Sequence, residues 1–192
     1  MNNKQFFDEV ASKWDEMCHH DEKKMNKIIG LSEVKEGSKI LDVGTGTGIL
    51  ISYLLKTNPS KIKAVDISEN MIKVAKQKYS DSKVEFVVKN VLEFEEKRFD
   101  YIFLYSVYPH FKYKDKVISH LSDLLNKSGK LIIAHSDSKE RINEIHRKRE
   151  VVKDDVLPSG KDTADLMSKY LKVNMIIDSV DMYYVSGIKT KL

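Results

Sequence analysis

The 192-residue chain has one cysteine, Cys18, so neither an internal disulfide framework nor a multi-cysteine zinc site can be built from it. Only three prolines interrupt it, and repeats and low-complexity tracts are absent. No apolar run approaches the roughly 18–20 residues that a bilayer-spanning helix needs. The first ten residues, MNNKQFFDEV, carry an acid at position 8 and no long apolar stretch, which reads against a secretory leader. Charge of one sign is also scarce: the formal net charge is only +4, and basic residues are scattered among acids. The exception is KERINEIHRKR, residues 139–149, which is either a solvated helix face or an anion or RNA contact. These absences predict a cytoplasmic protein with no membrane partner. Hydrophobic residues at 41% and charged residues at 32% fit one globular domain rather than a disordered or fibrous chain.

What is present is a regular alternation that begins near residue 38. SKILDV, IKAVDI, KVEFVV, FDYIFLYS and GKLIIAHS read as five short apolar strands, the last introduced by a Ser128-Gly129 turn. Between them, GILISYLLK, SENMIKVAKQKY and KDKVISHLSDLLN carry apolar residues at helical spacing, with Ser68 placed to cap the second. Strands separated by helices require crossovers, hence a parallel sheet covered on both faces. Further helices are expected over 139–149 and near 162–170. KVNMIIDSVDMYYVSGIKT closes the chain as two strands with Asp181 near their junction, a turn so close that the pair must be antiparallel. The expected fold is therefore a Rossmann-like, doubly wound seven-stranded α/β sheet, mostly parallel, with one antiparallel strand near the C-terminal edge. Residues 3–16 and 21–30 read as two amphipathic helices. Residues 1–37 are accordingly expected to form a helical cap, and 38–192 the core of a single domain.

The chemistry concentrates in ILDVGTGTGI, residues 40–49, where three glycines alternate after the first strand. A dinucleotide-binding turn is written G-x-G-x-x-G and opens a helix toward a pyrophosphate. Here the spacing is G-x-G-x-G with Asp42 just ahead, and a carboxylate there repels a diphosphate but accepts from an ammonium or hydroxyl group. Asp66 ends the second strand, where an acid reaches a ribose hydroxyl pair. The pocket suits a positively charged nucleoside without phosphates. At these residues the chain resembles the class I S-adenosylmethionine-dependent methyltransferases: LDVGTGTG is similar to their first motif and AVDISENMIKVAKQK to their second. The resemblance implies S-adenosylmethionine as cofactor. It also implies close backbone approach at Gly44, Thr45, Gly46 and Gly48, Asp42 near the cofactor's amino group, and Asp66 on the ribose. Ile67 and Met71 would pack on adenine, and Asn90, with Val91 beside it, stands where the family usually has an Asp for the adenine amino group. Tyr105 completes the expected set; it and Tyr108 also lie near the expected acceptor, where they either stack on a flat substrate or fill the sheet's edge.

The acceptor is expected beyond the fourth strand, where LYSVYPHF lacks the Asn/Asp-Pro-Pro-aromatic signature of enzymes that methylate base amines. His110 lies just past that strand, His135 ends the fifth, and His146 follows in the next helix with Asn143 on the same face. His19 and His20 sit between the two N-terminal helices. Histidine is the natural base near neutral pH and the commonest metal ligand. His110 and His135 are thus candidate catalytic bases, or, with His146, ligands of a divalent metal. Cys18 reads as an ordinary free thiol, and Trp14 as a lid over the ligand or a core residue. The leading expectation is methyl transfer to a small molecule. Its alternatives are an RNA or protein methyltransferase gripping its substrate through residues 139–149, and a non-catalytic cofactor-binding protein.

Overall fold

A computed structural model describes residues 2–18 and 20–190. Its strands are β1 (Lys39–Val43), β2 (Lys61–Asp66), β3 (Val84–Val88), β4 (Phe99–Tyr105), β5 (Leu125–His135), β6 (Lys172–Asp178) and β7 (Tyr183–Ile188). They form one seven-stranded sheet in the order β3-β2-β1-β4-β5-β7-β6. The pairs from β3 through β5 are parallel, while β7 runs antiparallel to both β5 and the edge strand β6. The order reverses between β1 and β4, so a crevice opens beyond their carboxyl ends.

Alternation along the strands feeds two cores. Leu41, Val43, Ile102, Leu104, Leu131 and Ile133 face one side, where α6 (Lys114–Leu124) and α8 (Gly160–Met167) cover them. Ile40, Tyr101, Phe103, Ile132 and Ala134 face the other, beneath α3 (Glu22–Ser32) and α4 (Ile51–Leu55). Two-sided burial explains the apolar runs of β1 and β4. The remaining helices are α1 (Asn3–Val10), α2 (Trp14–Met17), α5 (Glu69–Lys78) and α7 (Lys139–Arg147). Among the described residues no helix is long and apolar enough to cross a membrane.

Three local expectations differ from the structure. The helix expected over 3–16 breaks at a 3-10 turn, Ala11–Lys13, into α1 and α2. The second N-terminal helix is not part of a lid: Met25 and Ile28 of α3 are fully buried against the sheet. Burying two such side chains contributes roughly 3–6 kcal/mol, enough to make α3 a core element. The Ser128-Gly129 turn lies inside β5, where Ser128 takes a left-handed φ of 65° and the β4 pairing shifts register.

Candidate active site

A cavity of about 500 Å³ lies beyond the carboxyl ends of β1, β2, β4 and β5, within the range of small-molecule and cofactor sites. One wall is the glycine loop. Gly44 and Gly46 both take left-handed φ values, +66° and +54°, which let the chain double back after β1. The two have different neighbours. A Cβ on Gly44 would collide with the Val107 side chain, whereas one on Gly46 would meet only the Trp14 indole nitrogen at 3.8 Å. Gly48 departs from expectation. It does not line the cavity, and its missing side chain leaves room for the Tyr79 ring, 2.8 Å from where a Cβ would stand.

Behind the loop sit the two acids. Asp42 is 1% exposed and accepts from the Thr45 hydroxyl at 2.6 Å. Burial pushes its carboxyl up to about 7 despite that bond, and the nearby Asp66 charge adds to the rise. Asp66 accepts from Gly46 N and Ser68 N, both at 2.8 Å, one on each oxygen. Its carboxyl is also raised by burial, against the backbone donors of Ser68, Gly46 and Ile67. These donors fix the carboxylate's orientation while leaving it acceptor capacity for a ligand. Ile67, Met71, Asn90, Val91 and Tyr105 line the same cavity. Asn90 also caps the 3-10 turn Val91–Glu93, its amide oxygen accepting from Leu92 N at 3.1 Å.

The other end is built of imidazoles. His110, His135, His146 and His20 all line the cavity, whereas His19 lies outside the described residues. The residue that organises two of them, Asp155, lies between the helices expected over 139–149 and near 162–170 and is not among the sequence candidates. Its carboxylate lies 2.7 Å from His110 Nδ1, and its backbone carbonyl lies 2.5 Å from His146 Nδ1. Both acceptors call for a proton on Nδ1, so each neutral ring keeps its lone pair on Nε2. Asn143 holds the Asp155 loop in place through two bonds to Leu157, donating to its carbonyl at 3.0 Å and accepting from its N–H at 2.8 Å. Burial raises the Asp155 carboxyl, but the bond and charge of His110 outweigh it and hold the group below the ordinary carboxylate range. Burial also lowers His146, against the Asp155 carbonyl bond that raises it. His20 Nδ1 lies 2.7 Å from the Tyr105 hydroxyl, which donates onward to Ser136 Oγ at 2.9 Å.

Two histidine expectations change. His135 is 1% exposed with neither ring nitrogen hydrogen-bonded, and burial pushes its pKa down to about 3. A group so weakly basic stays neutral at pH 7 and is poorly suited to act as a base. The metal reading of His110, His135 and His146 also fails geometrically. Among the described residues no group of three His, Cys, Asp or Glu side chains converges on a metal position. His110 and His146 instead lie ring beside ring, with centroids 4.9 Å apart and planes 34° apart.

The N-terminal segment closes the remaining side. Phe7 and Trp14 line the cavity, and Phe7 packs edge-on against both Trp14 and His110. Polar contacts anchor this segment: Asp8 accepts from Ser68 Oγ at 2.6 Å, and Asp15 from Thr47 Oγ1 at 2.5 Å and Lys78 Nζ at 2.7 Å. The Cys18 thiol is raised by burial, the opposite of what a reactive thiolate needs. On the facing wall, α7 and the turn after it direct Arg141, Ile145, His146 and Arg149 at the cavity, so part of the basic run points inward. A smaller cavity of about 380 Å³ adjoins it and shares Ser136, Asp137 and Arg141.

A family model described as a methyltransferase domain matches residues 34–182. Malonyl-[acyl-carrier protein] O-methyltransferase 1 of Ilyobacter polytropus is 38% identical over 100 residues, covering 50% of this chain and 37% of that protein. Ribosomal protein L11 methyltransferase of Acetivibrio thermocellus is 34% identical over 128 residues, covering 66% of this chain and 40% of that one. The chain thus spans about two-fifths of the length of these curated relatives. Among solved structures, a SAM dependent methyltransferase from Aquifex aeolicus superposes with a TM-score of 0.73 at 20% identity, covering 93% of this chain and 98% of that one.

Proposed function

Since this chain belongs to the class I S-adenosylmethionine-dependent methyltransferase domain family, we propose that it methylates a small-molecule acceptor with His110 as general base. The observation that carries the reading is the His110–Asp155 pair, whose imidazole lines the same cavity as the glycine loop and Asp66. The residues fit the cofactor. Asp42, a buried carboxyl already close to its titration point, suits the amino group of the methionine portion. Gly44, Thr45 and Gly46 supply a low wall beside it, and Asp66 offers lone pairs to the ribose hydroxyls. Ile67, Met71 and Val91 bound the adenine space, Asn90 stands at its edge, and Tyr105 closes the methionine side.

When bound, S-adenosylmethionine supplies a methyl group made electrophilic by its sulfonium. The protein's share is alignment, exclusion of water and removal of a proton. His110 Nε2 would take the proton from the acceptor's O–H, S–H or N–H. The Asp155 carboxylate stabilises the imidazolium that results. His146, held neutral by burial, orients the acceptor through Nε2. Phe7 and Trp14 keep water out.

The test is formation of S-adenosylhomocysteine with a panel of thiols, phenols and amines. His110→Ala is expected to lose roughly 10²–10⁴-fold in turnover while keeping cofactor affinity by calorimetry. Wild-type turnover in that variant overturns the assignment.

A further inference from the structure

Arg149 has an unusual environment. It lines the cavity, is half-buried, and has no carboxylate within ion-pair distance among the described residues. Several acids near it in the sequence or in the cavity are engaged elsewhere, Glu144 with Arg141 and Lys148, Glu150 with Lys153, and Asp155 with His110, while Asp137 lines the cavity without an ion pair to it. Its charge reaches the inside of the site, where it opposes protonation of His146 and favours ionisation of Cys18. Both signs line the cavity, since Lys4, Lys89 and Asp137 also border it and the Asp155 carboxylate is committed to His110. Asp42 and Asp66 stand by the glycine loop, and the guanidinium lines the same cavity as the imidazoles. A guanidinium that borders a pocket without a carboxylate partner keeps its fork of N–H donors available to an anionic ligand.

We infer that the methyl acceptor carries an anionic group, a carboxylate or a phosphate monoester, which the Arg149 guanidinium binds beside His146. This inference rests on the functional reading above and adds the substrate's charge class to it. A guanidinium matches either oxyanion with two parallel hydrogen bonds, fixing the acceptor's orientation as well as its affinity. Anchored there, the acceptor's nucleophilic atom is presented to His110, whose ring adjoins that of His146. Arg141 sits nearer solvent, in a looser 3.4 Å contact with Glu144, and draws anions toward the mouth.

Inorganic phosphate and acetate provide the probes. Each is titrated at constant ionic strength into wild-type protein saturated with S-adenosylhomocysteine, and into folded Arg149→Gln and Arg149→Lys variants. Binding is read by calorimetry and by the imidazole C2-proton shifts of His110 and His146. At least one anion should bind wild type and move the His146 resonance, and Arg149→Gln should weaken it by at least about tenfold. Arg149→Lys should retain part of the affinity, since it keeps charge but not the fork. Stronger binding of phosphate assigns a phosphate ester, and stronger binding of acetate a carboxylic acid. The inference is overturned if neither anion binds, or if binding is unchanged in Arg149→Gln. It is also overturned if that variant loses S-adenosylhomocysteine affinity, because the guanidinium then serves the cofactor's own carboxylate. A wild type that fails to bind S-adenosylhomocysteine sinks the functional reading instead, and the anion titration on the unliganded protein still decides Arg149.

Discussion

At the scale of single residues, the two cofactor-side acids should behave differently. Asp66 is held by backbone donors from Gly46 and Ser68, so its carboxylate is prepositioned for a pair of hydroxyls. Asp66→Ala should weaken S-adenosylhomocysteine binding by at least several-fold, since hydrogen bonds to charged groups contribute roughly 1.5–3 kcal/mol. Unchanged affinity in a folded variant would remove Asp66 from the site. Asp42 should instead link binding to pH. Its folded pKa of about 7 lies above the ordinary carboxylate value, so stability from this group is greatest at low pH and declines as pH rises toward 7. An ammonium placed beside it favours the ionised form, so cofactor binding near pH 6–7 should release a proton. Calorimetry in buffers of different ionisation enthalpy reads that release directly; identical enthalpies across buffers, or release that persists in Asp42→Asn, would contradict it. Both acids were legible in the sequence, Asp42 from the glycine spacing it precedes and Asp66 from its place at the end of the second strand. Asp155 was not: contacts such as its bond to Asn3, at 3.1 Å and 152 positions distant, leave no local pattern.

At the scale of elements, legibility follows burial. β1 and β4 are mostly apolar because both sheet faces are covered, and their sequence reads accordingly. The N-terminal segment was harder, because polar bonds to other elements hold it. Asp8 and Asp15 look like solvated charges, yet they tie this segment to α5 and the glycine loop through Ser68, Asn70, Thr47 and Lys78. The same sequence reading placed α3 in the N-terminal cap, and its Met25 and Ile28 face belongs to the sheet. A division follows from these contacts. Removing residues 1–17 should leave a folded core with α3 in place that binds cofactor poorly. In the full chain, cofactor should slow proteolysis within α1 and α2 and leave α3 cleavage unaffected. Equal protection of all three helices would mean that the N-terminal region moves as one body.

At the scale of the whole molecule, charge distribution separates a small acceptor from an RNA. A net charge of +4 with one basic run left both open in the sequence. Periodicity could not say which way residues 139–149 face, because helix orientation depends on what packs against it. In the structure Arg141 and Arg149 line the cavity, while Lys148 pairs with Glu144 and Lys139 with Glu140. Little unpaired positive surface from this run remains for a phosphate backbone. A protein making 6–10 phosphate contacts loses roughly 10³–10⁵-fold in affinity between 50 and 200 mM salt. A small anion held by one guanidinium releases far fewer counterions. Over that salt range, KM for the true acceptor should therefore change by less than about tenfold, the scale expected for one or two neutralised charges. Fluorescence anisotropy with a labelled single-stranded RNA should show no saturable binding at 150 mM salt, a concentration at which surface charges are screened beyond about 8 Å. Tight RNA binding that collapses with salt, and weakens when Lys148 and Arg147 are neutralised, would move the substrate from the cavity to the surface and reverse the small-molecule reading.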